Sequence, residues 1–151
     1  MTQSFRKVMV CLDASPRAPL VFATALELAR ATSAKLLLMR AVGVPLDLPE
    51  EVLRKSPSEI PEILEKRAQL ELEVLARDVP AGTLSEIVVR IGIPWQAICA
   101  AARERQVDLI VMGSHGYSGI DHLIGTTASR VVHHAERSVL IVRPPHRDAD
   151  R

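Results

Sequence analysis

Leu109-Ile-Val-Met-Gly-Ser-His-Gly116-Tyr-Ser-Gly119-Ile-Asp-His-Leu-Ile-Gly125-Thr126-Thr127 holds four of the seven glycines of this 151-residue chain. It opens on the apolar run Leu109 to Met112, which predicts a buried strand, and closes on a Thr-Thr pair suited to begin a helix. Glycines leaving a buried strand let backbone N–H groups approach an anion without hindrance from Cβ, and a helix N-terminus attracts negative charge. The segment therefore predicts a phosphate cradle between a fourth strand and a fourth helix. It is not a P-loop, because no lysine follows any of these glycines. Nor is it a dinucleotide fingerprint, whose glycines are spaced differently and belong to a first strand.

Four more apolar runs surround it. Lys7 to Leu12, Lys35 to Ala41, Glu86 to Ile91 and Ser138 to Arg143 read as strands, with Asp108 to Met112 fourth in chain order. Between them helices are expected from Ser15 to Ala31, Ser58 to Asp78, Trp95 to Arg105 and Thr126 to Ala135. Leu20, Val21, Leu26 and Leu28 are buried candidates on the first helix. Ile60, Ile63, Leu64, Leu70, Val74 and Leu75 recur at helical spacing on the second. Residues 42–57 hold Gly43, Pro45, Pro49 and Pro57, so only Glu50 to Lys55 has room for a turn or two of helix. Alternating strands and helices predict an α/β fold, an open doubly wound five-stranded parallel sheet. With strand order 3-2-1-4-5, the ends of strands 1 and 4 flank the switch point where such sheets bind ligands, and the glycine loop lies beside Asp13.

Composition narrows the function. A formal charge of +1 with 25% charged residues projects no strong field toward nucleic acid or an acidic membrane, and 3% aromatics leaves few stacking platforms for single strands. No apolar stretch approaches the ~20 residues of a membrane span, and the first residues lack a signal-peptide core. Cys11 and Cys99 sit in apolar runs, as buried thiols of a reducing compartment would. The expectation is a cytoplasmic single domain over residues 1–144 with a frayed tail, 145–151.

The ordered set Val10-Cys-Leu-Asp13-Ala-Ser15, Gly92-Ile-Pro94, Asp108 to Gly116, Gly125-Thr-Thr-Ala-Ser-Arg-Val-Val132 and Ser138 to Val142 resembles the universal stress protein (UspA-like) family, over nearly the whole chain. The glycine segment is similar to the G-x-x-G, long spacer, G-[ST] signature of its ATP-binding members. The spacer here, Tyr117 to Ile124, is one residue shorter than usual, with Gly119 a candidate joint. The resemblance implies a flavodoxin-like domain of the adenine nucleotide alpha hydrolase-like kind. It implies ATP or AMP, with Mg²⁺ as a candidate companion, and a homodimer paired through Ser138 to Arg143. By position it brings Asp13 to the ribose or adenine side, the backbone of Ala41 to the adenine edge, Gly113 and Gly116 to the phosphates, and Gly125, Thr126 and Thr127 to their helix side. Cys11, Leu12, His115 and Gly119 are further candidate nucleotide-binding residues.

Other roles remain open for these residues. Asp13 suits a turn or helix cap, the glycines suit positive φ, and Thr126 or Thr127 suits an N-cap. His115 beside Ser114 suggests a base and nucleophile, but loop neighbours rarely aim at one another and no G-x-S-x-G elbow is present. His133 and His134 point about 100° apart on a helix and read as surface or dimer-contact residues rather than metal ligands. Trp95 reads as a packing aromatic. A phosphoryl-transfer site needs a cationic finger and metal-holding carboxylates, whereas near this loop stand only Asp13, Asp121 and His115. The expectation is thus a nucleotide-binding regulatory protein with no catalytic residue and at most slow ATP hydrolysis. The alternative is a structural dimerisation module of the same family that binds no nucleotide.

Overall fold

The computed structural model describes residues 4–43, 54, 59–114 and 125–145. Its elements are β1 (Lys7–Cys11), α1 (Ala18–Thr32), β2 (Lys35–Val42), α2 (Ile60–Ala76), β3 (Leu84–Ile91), α3 (Pro94–Glu104), β4 (Leu109–Gly113), α4 (Thr126–His134) and β5 (Ser138–Val142). The strands form one sheet in the order β3-β2-β1-β4-β5, with every neighbouring pair parallel. The expected order therefore holds. Val8 pairs with both Leu36 and Leu109, which places β1 at the centre.

Strand side chains alternate between two apolar layers because successive Cβ atoms point to opposite faces. Val8, Val10, Leu36, Leu38, Leu109 and Val111 pack with Val21, Phe22, Ala25 and Ala29 of α1 and Leu72 of α2. Met9, Leu37, Met39, Ile110 and Met112 pack with Ile98, Ala101 and Ala102 of α3 and Ala128 and Val131 of α4. Strands covered on both faces favour apolar side chains, and Leu36 to Met39 of β2 all lie at 0% exposure.

The helices begin and stop for local reasons. Pro19 occupies the first turn of α1, where its missing N–H costs nothing, while Pro16 falls in the turn before it. Ser33, in the left-handed conformation at φ 57°, ends that helix by donating its N–H to the last carbonyls. At the start of α3, Gly92 takes φ +150°, which a side chain would resist, and turns β3 into Pro94.

Two expectations about burial need correction. The inner face of α2 is centred on Ala68 and Leu72, whereas Leu70 and Val74 are 62% and 55% exposed. At 100° per residue, Leu70 lies some 200° from Ala68 and cannot share its face. On α1 the buried positions are mostly small, Ala18, Ala25 and Ala29 beside Val21 and Phe22, while Leu20, Leu26 and Leu28 only flank the core. Small residues let the helix lie close on the sheet.

The expected segment Glu50 to Lys55, apart from Arg54, and the tail beyond Pro145 lie outside the described residues. Among the described residues, no helix is long and apolar enough to cross a membrane.

Candidate functional site

After β1 the chain turns into α1 on one face of the sheet, and after β4 it returns through α4 on the other. Adjacent parallel strands whose connections leave on opposite faces create a crevice at their carboxyl ends. Here that crevice is a cleft of about 820 Å³. Its floor is the β1 exit (Cys11, Leu12, Asp13, Ala14) and the end of β4 (Met112, Gly113, Ser114). Ala41, Val42 and Gly43 of the β2 exit border it, Gly125 to Ala128 enter from α4, and Leu64, Arg67, Ala68 and Glu71 come from α2. Cys11, Leu12, Asp13, Ala41, Gly113, Gly125, Thr126 and Thr127, singled out from sequence, all line it. His115, Gly116 and Gly119 lie outside the described residues.

The α4 end of the cleft is electropositive by construction. Gly125 is the N-cap residue, at φ −59° and ψ 158°, with no side-chain cap and no acidic residue in the first turn. The first N–H groups of a helix have no intrahelical acceptor and carry the positive end of its dipole. Thr126 is exposed and Thr127 half-buried. Neither is the N-cap, which corrects that expectation. The ends of the glycine segment are tied together: the Ser114 N–H donates to Val142 O at 3.2 Å, and the Gly125 N–H donates to the Ser114 carbonyl.

The two described glycines of this segment are not there for positive φ, since among the described glycines only Gly82 and Gly92 adopt it. A Cβ on Gly113 would stand 3.2 Å from Val21 Cγ2. Close approach of α1 to the end of β4 accounts for that glycine.

Asp13 lies at the cleft and takes the turn role: its Oδ1 accepts the Ser15 N–H at 3.0 Å, an Asx turn that leads into α1. Arg40 was not anticipated as a site residue. It stands in the run Leu-Leu-Leu-Met-Arg-Ala of β2, and among the described residues it is the one charged side chain that is buried. Its Nε donates to Leu12 O at 2.8 Å, its Nη2 to Asp13 O at 3.3 Å and its Nη1 to Glu71 Oε2. The Arg40 hydrogen bond, reinforced by its charge and by Arg67, holds the Glu71 carboxyl below the usual carboxylate range against the opposing effect of burial. A lone arginine in an apolar strand was the available signal, because a buried charge persists only where partners meet it.

The remaining candidates are structural in character. Cys11 and Cys99 are free and partly covered. Burial, with the neighbouring Cys99, pushes the Cys11 thiol far above its ordinary range, and burial also raises Cys99, so both stay protonated at neutral pH. His134 stacks on Trp95 with ring centroids 4.4 Å apart, His133 meets His134 edge-on at 4.9 Å, and Arg130 lies 5.9 Å over Trp95. These histidines are surface residues outside the cleft. Among the described residues no group of three or more His, Cys, Asp or Glu is placed to hold a metal ion.

A model of the universal stress protein family matches residues 4–143. This chain belongs to the universal stress protein family. Among curated members, Universal stress protein A homolog 2 of Coxiella burnetii is 30% identical over 142 residues, covering 93% of this chain and 96% of that protein. A crystal structure of a universal stress protein family member from Burkholderia pseudomallei superposes with a TM-score of 0.72 at 26% identity, covering 93% of this chain and 97% of the other. A universal stress protein crystallised in complex with cAMP superposes with a TM-score of 0.64 at 27% identity, covering 93% and 98%. Within this universal stress protein, the face that α2 turns to the cleft was beyond sequence reading, because 42–57 separate that helix from β2 without marking where it docks.

Proposed function

We propose that this universal stress protein is an adenine-nucleotide-binding regulatory protein, taking ATP or AMP in the cleft between the ends of β1 and β4. The observation that carries the reading is the cleft itself. Its volume falls within the ~300–1,000 Å³ of small-molecule sites, and it is lined both by the N-terminus of α4, with no side-chain cap and no acidic residue in its first turn, and by Asp13. A helix N-terminus suits phosphate, and a carboxylate suits the hydroxyls of a sugar. The relative crystallised with cAMP supports the same ligand class. Asp13 and Glu71 are the carboxylates that the described residues bring to the cleft, and Glu71 is engaged by Arg40 and Arg67. Mg²⁺ therefore enters, where it is present, on the phosphates of ATP.

The protein acts by binding rather than by turnover. Among the described residues the two arginines of the cleft, Arg40 and Arg67, both lie on Glu71, and neither is taken as a cationic finger. A cytoplasmic homodimer completes the proposal. β5 pairs with β4 through one edge only and presents the half-buried Val139, Leu140 and Ile141. Two-fold pairing of that edge would cover it.

Equilibrium binding of a fluorescent ATP analogue, competed by unlabelled ATP and AMP, tests the ligand. Saturable binding displaced by both is expected. Absence of binding at millimolar concentrations would leave the structural dimerisation module instead.

A further inference from the structure

We propose that Arg40 is the positioning residue of the cleft, its guanidinium fixing the Leu12–Asp13 backbone so that Asp13 faces the ligand. The inference rests on the nucleotide reading above and assigns that site a residue which acts through another.

A guanidinium removed from water persists only where its donors are met, and Arg40 meets three acceptors from two different elements. Two are consecutive carbonyls, Leu12 O at 2.8 Å and Asp13 O at 3.3 Å. They lie where β1 runs out: the Leu12 N–H still donates to Met39 O at 2.8 Å, but Asp13 is already beyond the strand. Holding both carbonyls fixes the orientation of two successive peptide planes. The Asp13 side chain, which departs between them, is then held a second time by the Ser15 N–H at 3.0 Å. The third acceptor, Glu71, holds the guanidinium from α2 and also accepts from Arg67 at 3.4 Å. Glu71 meets only one of the Arg40 donors, and the carbonyls that meet the others belong to the β1 exit. The two carbonyl bonds point to the turn that carries Asp13. The planar fork is essential to this geometry, because a lysine ammonium is a point charge on a flexible stem and cannot span the same acceptors.

The test joins a double-mutant cycle with amide hydrogen exchange on the ligand-free protein. Calorimetric affinities for ATP are measured for the wild type, Arg40→Met, Asp13→Ala and the double variant. Each single change is expected to weaken binding by about tenfold or more, and Asp13→Ala added to Arg40→Met by less than about twofold, since Asp13 is already misplaced. Exchange at the Ser15 amide is expected to accelerate by about tenfold in ligand-free Arg40→Met and Arg40→Lys, with the amides of β4 unchanged. Glu86→Gln, which removes a carboxylate paired with Arg105 outside the cleft, is the control, and its ATP affinity is expected to stay within about twofold of the wild type.

Losses that add in the double variant, or Ser15 exchange unaltered in both Arg40 variants, would overturn the proposal. Should Arg40→Met fail to fold, Arg40→Lys carries both arms. Should the wild type bind no nucleotide, the function proposed above fails on its own, and Ser15 exchange in Arg40→Lys still decides whether Arg40 holds the turn.

Discussion

Thr126→Glu should move stability and affinity in opposite directions, because one carboxylate would meet the same helix terminus that is proposed to meet phosphate. Thr126 is the first residue of α4, is exposed, and makes no cap bond that the substitution would remove. A carboxylate in a first helical turn stabilises by about 0.3–1 kcal/mol, and α4 has no acidic residue there. In a chain of this size such a gain raises Tm by about 1–3 °C. The new charge also faces the cleft. At about 6 Å from one phosphate charge, the repulsion is about 0.7 kcal/mol in water and about 2.8 kcal/mol at an effective dielectric near 20. ATP affinity should therefore fall by about tenfold or more at low salt, less as ionic strength rises, while adenosine, which carries no phosphate, keeps its affinity. Calorimetric titration with ATP, AMP and adenosine at two salt concentrations, beside a thermal melt, reads all of these. An equal change for ATP and adenosine, or unaltered ATP affinity in the more stable variant, would refute the placement of phosphate at α4.

Leu140→Pro removes a ladder donor from the middle of β5 and should shift the protein toward monomer or aggregate in analytical ultracentrifugation, whereas a dimer of undiminished strength would reject the β5 interface. His115→Ala should leave any slow ATP turnover within a few-fold in single-turnover hydrolysis with saturating ATP and Mg²⁺, since loss of a general base would cost about 10²-fold or more. Acid should destabilise the fold through Glu71 and Glu86, whose carboxyls are held low chiefly by hydrogen bonds from Arg40 and Arg105. A folded-state value below the unfolded one gives stability that is present above the unfolded value and lost as pH falls through the folded one. Thermal melts should therefore decline below about pH 4, with a shallower decline in Glu71→Gln and Glu86→Gln and only a modest difference, because both side chains are more than a third exposed.

The sheet was legible because its strands are buried on both faces and so read as unbroken apolar runs. Strands alternating with helices pointed to a parallel, doubly wound sheet, whereas the order 3-2-1-4-5 was a condition that periodicity alone does not prove. The motif residues of the β1 exit, the β4 end and the α4 start were legible for the same reason, since the switch-point rule brings those ends together whatever their side chains do. What α2 contributes was not. Its apolar residues occur on more than one face, so Leu70 and Val74 were read with the helical stripe while the buried Ala68 and Leu72 were not named, and the choice among faces is made by docking against β2 and β3. Arg40 was hidden by its neighbours: in a strand read by its apolar run, one arginine passes as an interruption, and its partners lie 27 and more residues away in sequence. Gly113 was read for its backbone freedom and for phosphate, whereas the structure also shows Val21, a contact across the fold, close to where its Cβ would stand.

The central claim is that the cleft at the ends of β1 and β4 holds an adenine nucleotide. The most direct measurement is to denature the freshly purified protein and identify what it releases by mass, quantified per chain and repeated after incubation with ATP and removal of the excess. An adenine nucleotide is expected in near-stoichiometric amount, lost in Thr126→Glu and retained in Leu140→Pro protein that remains folded. Release of no nucleotide by the wild type, before or after incubation with ATP, would contradict it.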